Sequence, residues 1–216
     1  MLDDIHALRA ATDGYRAAAT AAGIVWPGVP RDAGPAPGHL TRLFDVPRIA
    51  DQLAWFQAQG WHDDRLLPGG GWVIDWPACS GDAFEQLTLS AGTPFPWRHQ
   101  IPLFDFELVV YTFVLDPAFE GEIWRYDVNL DAVTSVRAAT SLAGLLTAWT
   151  KGIESGAVVK WNWLVIDEDA VDPIVFPVPI ADHALLERRQ RECGVDPLGA
   201  GFDDLLDAVD AARQTL

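Results

Sequence analysis

The chain has 216 residues, 50% hydrophobic and 21% charged, which is enough apolar mass for a real core. Fifteen Lys and Arg against 31 Asp and Glu leave a formal net charge of −16, a surface that repels phosphate backbones and anionic lipid and so disfavours direct nucleic-acid or polybasic membrane binding. No run approaches the roughly 18 apolar residues of a membrane span, the segment MLDDIHALRA lacks the basic start and apolar run of a secretory signal, and Cys79 and Cys193 lie far apart, so a cytoplasmic chain with two reduced thiols is expected.

In chain order, residues 3–22 place Ile5, Leu8, Thr12, Tyr15, Ala19 and Ala22 at helical spacing, with Asp3 and Asp4 where the helix dipole favours anions and Gly23 as the stop. The segment PGVPRDAGPAPG (27–38) forbids helix and sheet interior alike and is expected to be an ordered meander. A second helix fits 47–59, with Asp45 as cap, Ile49, Leu53 and Phe56 as its stripe, and Gly60 after its end. Strands are expected in 72–76, 84–89, 107–115, 122–129, 133–137 and 158–166, all rich in β-branched and aromatic residues. ELVVYTFVL (107–115) is apolar on both faces, which predicts a hairpin over 107–129 in the middle of a sheet, turning at 116–121. EIWRYDV alternates Ile123, Arg125 and Asp127 against Trp124, Tyr126 and Val128, the pattern of a half-exposed antiparallel strand.

Ser141 caps a helix carrying Leu142, Leu145, Leu146, Trp149 and Ile153, and two further helices fit 183–193 and 202–213. Helices, then strands, then helices predict one α+β domain over 1–216: a central antiparallel sheet of about five or six strands with N- and C-terminal helices packed on it. Its parts are a helical segment with the Pro/Gly-rich stretch (1–60), a sheet-and-helix unit (61–166) and a helical extension (167–216).

A search for catalytic chemistry returns little. GGG at 69–71 is not followed by Gly-Lys-Ser/Thr, so it is no P-loop, and no G-x-S-x-G occurs. DVNLD (127–131) opens like a calcium loop but has Ala132 at the sixth position and Ala138 at the twelfth, where the turn glycine and the bidentate glutamate belong. His6, His39, His62, His99 and His183 are scattered without metal-ligand spacing, and Cys79 has no base beside it in sequence. No metal, cofactor or catalytic residue is expected. Ten tryptophans are read mainly as core filling, their N–H groups reaching carbonyls at its edge.

The stretch 107–154 resembles the SMI1/KNR4 (SUKH) family, whose closing unit is a Gly-acidic-hydrophobic-aromatic strand followed by a Ser-capped helix packed on the sheet. Gly121, Glu122, Ile123, Trp124, Ala139, Ser141, Leu142, Leu145, Leu146 and Trp149 stand at matching positions, and Gly81-Asp82 resembles the Gly-Asp before a central strand. The Pro-rich segment at 27–38 and the long stretch after the shared helix depart from the family pattern. The resemblance implies a non-catalytic immunity protein that neutralises a cognate toxin, such as a nuclease or deaminase. An acidic binder is steered to a basic partner of that kind.

The residues expected to meet the partner are Asp116, Glu120 and Glu122 at the hairpin tip and Asp167, Glu168, Asp169 and Asp172 in a later loop. The alternative is a small-molecule-binding or hydrolytic enzyme with a Trp-lined pocket, using carboxylates such as Asp75, Asp105 or Glu107.

Overall fold

The computed structural model describes residues 3–23, 26, 51–61, 67, 72–74, 100–106, 109–114, 118–127, 136–156, 184–185 and 188. The described elements are α1 (Ile5–Ala21), α2 (Asp51–Gln57), β1 (Trp72–Val73), β2 (Gln100–Asp105), β3 (Val109–Val114), β4 (Ile123–Asp127), β5 (Val136–Ala139) and α3 (Leu142–Glu154). The strands pair antiparallel in sequence order, β1-β2-β3-β4-β5, with β1 contributing only two residues. This is the α+β class expected.

The hairpin stands where its apolar strand placed it. Val109 faces Asp127 and Phe113 faces Ile123, and β3 has β2 on its other side. Burial on both faces of β3 is the reason: Val110, Thr112 and Val114 are as enclosed as Tyr111 and Phe113. In β4, Ile123 and Trp124, on opposite faces, are both buried and Arg125 is half-buried.

Two strands differ from the sequence reading. β2 was not expected, since Gln100 and Pro102 weaken its β signal. It tolerates proline because the register slips at that point: Pro102 faces Thr112 and Phe104 faces Tyr111, leaving Leu103 as a bulge. The free Leu103 carbonyl then accepts from the Ile74 amide at 3.0 Å. β5 is described over Val136–Ala139 and so runs two residues past the expected end at 137, while 133–135 lie outside the described residues. Its position follows the cross-strand partners, Ala139 on Ile123 and Arg137 on Trp124, with Ala138 bulged between them.

The helices cover one face of the sheet. Leu8, Tyr15 and Ala19 of α1, Leu53 and Phe56 of α2, and Leu142, Leu145, Leu146 and Trp149 of α3 form one cluster with Ile101, Phe104, Tyr111, Phe113 and Ile123. Trp61 sits within it, its indole N–H donating to the Phe56 carbonyl at 2.8 Å.

Capping explains where the helices begin. Asp4 caps α1 by accepting from the His6 amide at 3.1 Å. Ser141 caps α3 by accepting from the Gly144 amide at 3.1 Å. A second orphan amide of α3, that of Ala143, donates to the Asp3 carboxylate at 2.8 Å, across 140 residues of sequence. The Asp3 carbonyl also accepts from Gln52 of α2 at 3.3 Å, so one aspartate ties all three helices together.

The second helix expected from sequence is seen as Asp51–Gln57; the proposed cap Asp45 and the meander 27–38 lie outside the described residues. So do the strands expected at 84–89 and 158–166 and the helix at 202–213. Of the helix expected over 183–193, Ala184, Leu185 and Arg188 are described, and all three are helical.

Two expectations about stability arise here. Gly14 is interior to α1, and a Cβ built there meets nothing within 4 Å. Gly14→Ala should therefore stabilise the protein by about 0.5–1 kcal/mol and raise Tm by about 2–3 °C; an unchanged or lower Tm would show that something packs against this position. Burial holds the Tyr15 hydroxyl well above its ordinary pKa of 10.0. It also raises Tyr111, against a smaller opposing pull from Arg125. The folded chain keeps these protons where the unfolded chain releases them, so stability is intact below about pH 10 and falls as pH rises above it. Urea midpoints taken across that range should show the loss on the alkaline side only, with a shallower slope for Tyr15→Phe.

Candidate functional site

The hairpin tip is where the expected partner-facing carboxylates and the described residues overlap. β3 ends at Val114, which bonds to two successive residues on the other side: its carbonyl accepts from the Gly121 amide and its amide donates to the Glu122 carbonyl, each at 3.0 Å. Two residues against one make a β-bulge, and Gly121 takes its left-handed corner with φ of 94°. The Glu122 amide closes the turn on the Phe119 carbonyl at 3.1 Å. The glycine of the Gly-Glu-Ile-Trp motif thus has a backbone reason.

The glutamate has a side-chain reason. Glu122 is 6% exposed. One carboxylate oxygen accepts from the Trp124 indole N–H at 3.1 Å, and the other meets Arg137 Nη1 of β5 at 3.0 Å. A carboxylate in that position is oriented by two donors on its own sheet. Thr112 and Gln100 continue the polar band one strand further, the Thr112 hydroxyl donating to the Gln100 amide oxygen at 2.7 Å. Register puts Thr112, Trp124 and Arg137 in one row across β3, β4 and β5, on the face opposite the aromatic core.

The expected site residues therefore separate. Glu120 is half-buried in the turn, and the bulge at Gly121 breaks the strand geometry that would align it with Glu122. Glu122 is turned into the sheet and engaged there rather than presented at the tip. Asp116, Asp167, Glu168, Asp169 and Asp172 lie outside the described residues. Of the carboxylates considered for an enzyme, Asp75 and Glu107 lie outside them as well, while Asp105 is buried opposite Val110. Asp105 and Glu122 lie two strands apart, against Val110 and Val114 of β3. The four-residue offset alone is about 13 Å. Paired carboxylates in glycoside hydrolases work at about 5–9.5 Å.

Sequence reasoning missed Arg137 and the inward direction of Glu122. The signal was present in the two-residue period that puts Glu122 on the Trp124 face of β4; the partner was hidden by the uncertain register of β5. Among the described residues no group of three His, Cys, Asp or Glu side chains could hold a metal ion, and no helix among them is long and apolar enough to cross a membrane. Comparison of the chain with protein-family models, curated proteins and solved structures finds no match.

The pair makes a direct expectation. Glu122→Ala should cost about 2–3 kcal/mol, because it leaves the Trp124 N–H and a half-buried Arg137 without their acceptor. Combined with Arg137→Ala, the loss measured by urea unfolding should fall short of the sum by about 1 kcal/mol or more. Strictly additive losses would mean that the contact contributes nothing.

Proposed function

We propose that this chain is a non-catalytic protein-binding module of the cytoplasm, an immunity protein of the SUKH kind that neutralises a basic toxin domain. The observation that carries the reading is where the arginines go. Arg9 lies over the Trp55 ring at 5.5 Å and Arg16 over Trp26 at 4.9 Å, with Arg16 also on Asp13 at 3.4 Å. Arg125 stands opposite Tyr111 in the β3–β4 register, and Arg137 pairs with Glu122. The arginines of α1 and β5 thus have partners within the molecule, while Asp13 and Glu154 are exposed, as are Lys151 and Arg188. A net charge of −16 favours fast, steered encounter with a basic protein and disfavours nucleic acid.

A second support is the order of the unit that carries the resemblance: the hairpin β3-β4, the short β5 and the Ser141-capped α3 follow one another as the family pattern implies. In this reading Glu122 keeps its inward role, and contact with the partner falls to Asp116, Glu120, Asp167, Glu168, Asp169 and Asp172.

The test is charge reversal. Lysines at Asp116, Glu120 and two or three of the later loop carboxylates should slow association with a toxin domain encoded beside this chain by tenfold or more at low salt. They should also flatten the salt dependence of the rate and leave Tm within about 2 °C. Wild-type protection by the reversed protein would overturn the acidic-face assignment, and absence of any binding to such a toxin would overturn the immunity reading itself. The cytoplasmic placement is tested separately: a thiol reagent applied to denatured, unreduced protein should count both Cys79 and Cys193, whereas a count of zero would indicate a disulfide and an oxidising compartment.

A further inference from the structure

We draw no further inference here: the strongest candidate, the stripe of small residues Ala7, Ala10, Gly14, Ala17 and Ala21 along the outer flank of α1, is suited to close helix packing, but nothing in the structure shows what covers it.

Discussion

The indole of Trp149 projects from α3 into rings drawn from three other elements: Tyr15 of α1 at 6.2 Å, Phe104 of β2 at 5.1 Å and Tyr111 of β3 at 5.7 Å between centroids. Phe104 and Tyr111 meet it edge-on, the arrangement that sets the electropositive rim of one ring against the π face of another. Tyr15 in turn touches Trp26 and Trp61, and Trp61 rests on Phe56 of α2. The network is continuous, so the spacing of α1, α2 and α3 from the sheet is set by ring thickness. Aromatic rings hold that spacing more firmly than leucines because they have few rotamers to lose and little freedom to collapse around a gap.

The two faces of the sheet solve different problems. The helix-covered face is almost wholly apolar and gains from area removed from water. The other face mixes Val110, Val114 and Trp124 with Gln100, Thr112 and Glu122, all of them buried. Polar groups there add little net stability over hydrocarbon, yet they accept only one arrangement. Glu122 can satisfy Trp124 and Arg137 together only when β4 and β5 are in their observed register, including the bulge at Ala138. A slip of one residue would carry Arg137 to the aromatic face and leave a carboxylate buried alone.

What could be read from sequence followed from strong local signals. α1 and α3 were legible to within two residues because periodicity agreed with the local end signals, Asp3 and Asp4 at the dipole and Gly23 as the stop for α1 and the Ser141 cap for α3. The hairpin was legible because ELVVYTFVL is too apolar for an edge. β2 was not, because a strand bearing Gln100 and Pro102 is stable only through the bulge at Leu103 and through neighbours on both sides, information held elsewhere in the chain. β5 runs past its expected end at 137 for a related reason: Ile123 and Trp124 choose the partners, Ala139 and Arg137. At the hairpin tip the acidic residue was legible and its direction was not. Exposure had been inferred from the turn, whereas the glycine corner at 121 folds the next side chain back over the sheet.

The carboxylate of Asp3, seated on the amide of Ala143, also has a meaning in time. At about 5–20 residues per second, a ribosome needs about 7–28 s to travel the 140 residues between them. During that interval the apolar stripe of α1 exists without the helix it is cut to fit. α2 reaches it first, with Trp55 under Arg9 and Gln52 on the Asp3 carbonyl, and can hold it loosely. Only when α3 has been made and laid on the sheet does Tyr15 meet Trp149. α1, synthesised before α2 and α3, is therefore the helix whose final seat is completed last, and until then the nascent chain carries its apolar stripe only partly covered, for chaperones to shield or for aggregation to find.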